Sequence, residues 1–247
     1  MALWYNSGKE YNHVSLAKKT SDSSAFLCCG GPSLSLINAK YLNGPNRTVF
    51  GLNNVYPQVR PDVWMGMDDP KCYRREIFWE SFMKIMRGGL QDRSFEDYQI
   101  NKNFNLFYAD CKTPIDREDI FKLRNHDAHF VWHKNSFAMA LHIILWMGFD
   151  KIYLFGCDFN NAEKDYFNEV KLDDLKKKYN GLLYNELNHY LEWFAKTAPK
   201  YAIKVYSCSP HSRINEYLEY KDYLNVVSDL EKDLPKGRPL FHAAELK

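Results

Sequence analysis

Short apolar runs alternate with longer stretches of helical period along most of the chain, and each run ends on a small or polar residue. Runs at 24–29, 47–52, 62–67, 104–109, 128–132, 151–156 and 202–206 have the length and the Val, Ile, Phe and Tyr content of buried strands. Between them, 73–87 reads as a helix stopped by Gly88-Gly89. Phe137, Ala140, Leu141, Ile144 and Leu145 share one helical face, opened by a capping Asn135 or Ser136 and closed before Gly148. A longer helical stretch over 172–197 is interrupted by Gly181 and closed by Pro199, with Leu175, Leu183, Leu187, Leu191 and Phe194 as its core face. Wholly apolar strands alternating with helices predict the α/β class, a single domain with a mainly parallel sheet flanked by helices. Its core spans about 24–220, and the polar first twenty residues and last fifteen read as loosely attached ends.

Composition narrows the function. With 33 Lys+Arg against 31 Asp+Glu, any field that draws in a polyanion must be local. Lys71, Arg74, Arg75, Lys84 and Arg87 form the best basic cluster, four of them on the helix predicted at 73–87. No run of about 18 apolar residues predicts a membrane span, and the start lacks the basic-then-apolar order of a signal peptide, so the expected location is cytoplasmic. Six cysteines without CxxC spacing read as free thiols packed as small hydrophobes. Aromatic residues are abundant, with 17 Tyr, 16 Phe and 6 Trp, and Tyr and Trp suit sugar rings as well as cores.

In an open parallel sheet, ligands bind beyond the carboxyl ends of the strands. The first strand is followed by Gly30, Gly31, Pro32 and Ser33, where a helix starting near Ser33 would aim free N–H groups at a phosphate. This stretch matches neither the P-loop nor the GxGxxG pattern. The second strand is followed by Asn53 and Asn54, whose amides suit either a ligand or a turn. The third is followed by Asp68 and Asp69, which could hold Mg²⁺ or Mn²⁺, supply a base, or start a turn. Ser136 stands at the start of the well-formed helix, as an anion contact or as a cap, and Asp158 closes the strand at 151–156. Ser207-Cys208-Ser209-Pro210-His211-Ser212 leaves the last strand, with hydroxyls placed to act as caps.

Three of these stretches together resemble the single-domain, Rossmann-like bacterial sialyltransferases and the broader family around them that includes motility-associated factor glycosyltransferases. They are Leu27 through Leu34, Asn135 through Phe159, and Ile203 through Pro210, with Asn53 following the second strand as the family's nucleotide-binding Asn does. The resemblance implies a GT-A-like fold and a nucleotide-sugar site. By position, Gly30, Gly31, Pro32 and Ser33 would lie under the phosphates, Asn53 and Ser136 would contact the nucleotide or sugar, and Asp158 would sit near the ribose or base. Tyr166 falls where the family places a phenol on the leaving phosphate. Asn160 replaces the family's first such Tyr, and Phe137 replaces the Gly after its Ser. The family's catalytic His aligns near Leu182 or Leu183, and the nearest imidazole is His189.

The implied activity is transfer of a sugar from a UDP-, CMP- or GDP-linked donor to a hydroxyl acceptor: a glycan, a protein, or a hydroxymethylated base in phage-type DNA. His189, His133, Asp68 and Asp69 are the candidate bases, in no order, and the Asp pair is also the candidate metal site. The alternatives are a diphosphokinase of the pterin type and a non-catalytic nucleotide-binding module.

Overall fold

The computed structural model describes residues 3–6, 11–13, 24–90, 94–95, 98–99, 105–112, 118–122, 130–131, 135–159 and 174–232. In chain order its strands are β1 (Leu3–Asn6), β2 (Tyr11–His13), β3 (Ser24–Cys28), β4 (Arg47–Leu52), β5 (Val63–Gly66), β6 (Met83–Arg87), β7 (Ser94–Phe95), β8 (Tyr98–Gln99), β9 (Leu106–Ala109), β10 (Cys111–Lys112), β11 (Phe130–Val131), β12 (Lys151–Phe155) and β13 (Lys204–Ser207). The α-helices are α1 (Asp119–Lys122), α2 (Ser136–Trp146), α3 (Asp174–Thr197) and α4 (Tyr223–Lys232). The main sheet has the order β13-β12-β3-β4-β5-β6-β9-β1-β2, parallel from β13 to β9 and antiparallel where β1 joins β9 and β2 joins β1.

Strands β3, β4 and β12 are apolar at successive positions because both faces of the sheet are covered. In β3, Ala25 and Leu27 pack with α2 and the buried stripe of α3, while Phe26 and Cys28 pack with Leu34, Val49 and the α4 residues Val226, Val227 and Leu230. A third cluster gathers around the fully buried Trp64. All six cysteines are free, and Cys28, Cys29, Cys157 and Cys208 are buried, as expected of thiols used as small hydrophobes.

Four expectations are corrected. The segment 73–87 is not a helix: a 3-10 turn spans Arg75–Trp79, and Met83–Arg87 is strand β6, central in the sheet. Lys84 hid that strand by interrupting its apolar run. The side chain is fully buried, and its ammonium donates to the carbonyl oxygens of Glu80 at 2.5 Å and Phe82 at 3.2 Å and to Asn105 Oδ1 at 2.8 Å. Of the expected strand at 128–132, the described residues Phe130–Val131 pair with β10 outside the main sheet, and the rest lie outside the described residues. The first residues are not all loose, since β1 and β2 extend the sheet edge. Helix α3 runs unbroken through Gly181. The last fifteen residues lie outside the described residues.

Candidate nucleotide-sugar site

From β3 the strand order proceeds one way through β4, β5 and β6 and the other way through β12 and β13, so the switch point lies between β3 and β12. That is where an open α/β sheet leaves a crevice. A cleft of about 390 Å³ lies there. Its polar wall includes Gly30, Gly31 and Pro32 after β3, Asn53 after β4, Asp68 after β5, Asn135 and Ser136 at the start of α2, and Asp158 after β12. Segments far apart in sequence therefore meet at one point, and most of the predicted nucleotide-contacting residues line it.

The loop after β3 is bound to the end of β12. Cys29 N–H donates to the Phe155 carbonyl and Gly31 N–H to the Gly156 carbonyl, each at 2.8 Å. Ser33 N–H donates to Asp158 Oδ2 at 2.9 Å, and Leu34 N–H returns to the Gly31 carbonyl at 3.1 Å. A Cβ on Gly31 would collide with the Asp158 carboxylate and, at 2.5 Å, with the Gly156 carbonyl oxygen. Gly156 has φ +63°, a left-handed conformation, and a Cβ there would collide with the Cys29 carbonyl. Pro32–Leu36 is a 3-10 turn of five residues. Pro32 has no N–H and the next two N–H groups are used internally, so the expected free N–H groups near Ser33 are not offered to a phosphate. Burial raises the Asp158 pKa above the ordinary Asp range, opposed by the hydrogen bond from the Ser33 N–H. The segment after β13 braces this corner. Ser212 Oγ donates to the Cys157 carbonyl at 2.6 Å, and Cys157 N–H donates to Ser209 Oγ at 3.0 Å.

Asn53 adopts φ 57°, and its carbonyl accepts the Trp64 indole N–H at 2.6 Å. Its side-chain Oδ1 is enclosed and has no hydrogen-bond partner. Asn54 is not part of the cleft: Nδ2 donates to the Cys72 carbonyl and Oδ1 accepts the Arg74 N–H, both at 3.0 Å. The two aspartates also separate. Asp68 is exposed and lines the cleft, with Tyr73 Oη 2.7 Å from its N–H and 3.4 Å from Oδ2. Asp69 caps the turn Pro70–Cys72 by accepting the Lys71 N–H at 3.0 Å. The pair therefore does not converge as metal ligands, and among the described residues no three His, Cys, Asp or Glu side chains gather as a metal set. Among the described residues the donor set does not fit Mg²⁺ or Mn²⁺.

Asn135 is the cap of α2: its Oδ1 accepts the Ala138 N–H at 2.7 Å. Ser136 is the first helical residue, and it lines the cleft together with Phe137. The first N–H groups of a helix have no partner within it, so α2 presents its positive end here.

Sequence reasoning missed the opposite wall. Tyr179, Asn180, Leu183 and Tyr184 of α3 line the cleft, with Phe159 packed edge-on against Phe137 at 5.1 Å. Phe159 has φ 46°, and its carbonyl accepts Asn188 Nδ2 at 3.2 Å. Of the apolar stripe assigned to the core, Leu187, Leu191 and Phe194 are buried, Leu175 is exposed and Leu183 is partly buried in the cleft wall. The Tyr179-Asn180 step, polar within that stripe, was the available signal. His189 is not in the cleft; it borders a separate groove with Glu192, Lys196, Arg213 and Glu216. The basic cluster loses Lys84 to the core. His133, Asn160 and Tyr166 lie outside the described residues.

No protein-family model matches the chain, and neither does any curated protein sequence. Among solved structures it is similar to the sialyltransferase CstII from Campylobacter jejuni in complex with the substrate analogue CMP-3FNeuAc. That match has 21% identity and a TM-score of 0.50, covering 83% of this chain and 88% of the other. It is also similar to the monofunctional alpha-2,3-sialyltransferase Cst-I from Campylobacter jejuni, at 14% identity and a TM-score of 0.50, covering 83% of this chain and 82% of that one. The chain has the sialyltransferase fold. This agrees with the resemblance drawn from the residues after the strands. Among the described residues no helix is long and apolar enough to cross a membrane.

Proposed function

We propose that the protein is a glycosyltransferase that moves a sugar from a nucleotide-sugar donor to a hydroxyl acceptor. The observation that carries this reading is the convergence of Gly30, Gly31, Asn53, Ser136 and Asp158 on one cleft at the switch point of a sialyltransferase-like fold. In this reading the unpartnered Asn53 Oδ1 accepts a hydrogen bond from the nucleoside or sugar. The Ser136 hydroxyl and the first N–H groups of α2 stabilise the phosphate as it leaves, where charge grows in the transition state. Tyr179, Tyr184 and Phe159 supply ring faces for the base or sugar. Asp68, the exposed carboxylate of the wall, takes the proton from the acceptor hydroxyl as the glycosidic bond breaks. The Asp158 carboxylate acts at one remove, holding the loop after β3 against β12.

A non-catalytic nucleotide-binding module is the second reading. It is favoured by Leu183, an apolar residue in the cleft wall close to where the family's His aligns. Incubation with a panel of UDP-, CMP- and GDP-sugars separates the readings. Release of nucleotide, lost in Asp68→Ala, supports the transferase. Binding without turnover of any donor supports the module, and turnover of ATP alone sinks both.

A further inference from the structure

Helix α3 divides its residues between two surfaces. Tyr184 and Leu187 line the cleft, and the next residue, Asn188, borders the separate groove together with Tyr217 and is 5% exposed. Its amide is fully used. Nδ2 donates to the Tyr184 carbonyl at 2.8 Å and to the Phe159 carbonyl at 3.2 Å, and Oδ1 accepts the Tyr217 phenol at 2.5 Å. The three carbonyls that follow β12 are thus each held: Cys157 by Ser212 Oγ, Asp158 by the Arg213 N–H at 3.4 Å, and Phe159 by Asn188.

Phe159 depends on that hold most. Its φ of 46° lies in the left-handed region, which a residue with a Cβ keeps only where its surroundings impose it. In that conformation its ring stands in the cleft wall, 5.1 Å from the Phe137 ring on α2 and 5.9 Å from that of Tyr184.

We infer that Asn188, oriented by the Tyr217 phenol, is a positioning residue that sets the aromatic wall of the cleft by holding Phe159 in its left-handed conformation. The inference rests on the nucleotide-sugar reading and adds to it a residue that does not line the cleft. The amide suits the position because it offers two donors to carbonyls and one acceptor to a phenol, which neither a carboxylate nor a hydroxyl can do. Tyr217 decides which way the amide faces, and the amide decides where the Phe159 ring stands.

Calorimetric titration of the full chain at 25 °C with CMP, UMP, GMP, UDP and GDP tests this, using for the variants whichever nucleotide the wild type binds most tightly. A base stacked on an aromatic side chain loses roughly five- to hundredfold in affinity when the ring is removed. Phe159→Ala and Asn188→Ala should each weaken binding about tenfold, and the double variant should bind no more weakly than Phe159→Ala alone, because Asn188 acts through Phe159. Tyr217→Phe should weaken binding about threefold, again only where Phe159 is present, and it takes the place of Asn188→Ala in the cycle if that variant does not fold. Lys84→Met, which destabilises the core outside the cleft, should leave affinity unchanged. Affinity within about twofold of wild type in both Asn188→Ala and Tyr217→Phe would overturn the inference. So would a loss of about a hundredfold in the double variant, or a loss in Lys84→Met equal to that in Asn188→Ala. Failure of the folded wild-type protein to bind any of the five nucleotides would instead overturn the nucleotide-sugar reading beneath it.

Discussion

Replacing Asp158 separates a residue that shapes the cleft from one that touches the ligand. Its side chain belongs to a residue only 7% exposed and accepts the Ser33 N–H at 2.9 Å, yet burial outweighs that bond and raises its pKa. The native state therefore holds a proton more readily than the unfolded chain. Asp158 contributes stability below the ordinary Asp range, near pH 4, and that contribution is lost as pH rises through its raised native value. At neutral pH the charge is a net cost, although its hydrogen bond is favourable. Asp158→Asn keeps an oxygen for the Ser33 N–H and removes the charge, so neutral-pH stability should change by less than about 1 kcal/mol and the decline from acid to neutral pH should flatten. Asp158→Ala leaves the Ser33 N–H buried without an acceptor at a cost of about 1–3 kcal/mol, or roughly 2–12 °C in Tm for a chain of this size. Urea unfolding and thermal melts at mildly acidic and neutral pH measure both. Nucleotide affinity should stay within about threefold in Asp158→Asn. A loss of about tenfold or more with Tm unchanged would refute the positioning role and make the carboxylate a direct ligand contact.

Gly31→Ala should weaken nucleotide binding more than Asp158→Asn does, because its Cβ would meet both the Asp158 carboxylate and the Gly156 carbonyl and force the loop off β12; titration against a single nucleotide checks this. Lys84→Met should destabilise by about 1–3 kcal/mol, as the oxygens around the ammonium lose a donor. Burial lowers the Lys84 pKa to about 8 from 10.5, so the unfolded chain binds more protons between those values and stability rises with pH there. Unfolding across that window should show the rise in wild type and not in Lys84→Met. Asp69→Ala should lower Tm through loss of a cap worth about 1 kcal/mol while leaving nucleotide release unchanged, and a chelator should leave release unchanged too.

Strands β3, β4, β5 and β12 were legible because a strand buried on both faces needs apolar residues at nearly every position. Strand β6 was not legible, since Lys84 belongs in the core only through Asn105 and the Glu80 and Phe82 carbonyls, and one of those partners lies 21 residues away in sequence. Strands β1 and β2 are short edge strands of mixed polarity, held by pairing of β1 to β9 and of β2 to β1 rather than by a pattern of their own. The site was legible to the extent that the switch-point rule names the residues following strands. It does not say which are spent on structure. Asn54 and Asp69 sit beside Asn53 and Asp68 and differ from them only in binding neighbouring backbone groups. The wall from α3 was read as core because helical spacing shows a common face and not what lies against it.

The same distinction relocates the expected phosphate contact. Two segments in the sequence offered helix N-termini to an anion, Pro32–Leu36 and α2. In the first, the position an anion would take is already filled by Asp158, which reaches Ser33 from 125 residues away, and the remaining N–H groups close back on Gly31 and Gly156. A phosphate placed there would have to displace a carboxylate held in a buried corner. In the second, eleven helical residues align their dipoles toward the cleft, equivalent to about half a positive charge at the N-terminus, and Asn135 caps Ala138 without covering Ser136. The glycines after β3 therefore serve close packing of β3 on β12, and in the proposed reading the electrostatic work of holding a phosphate falls to the residues that begin α2.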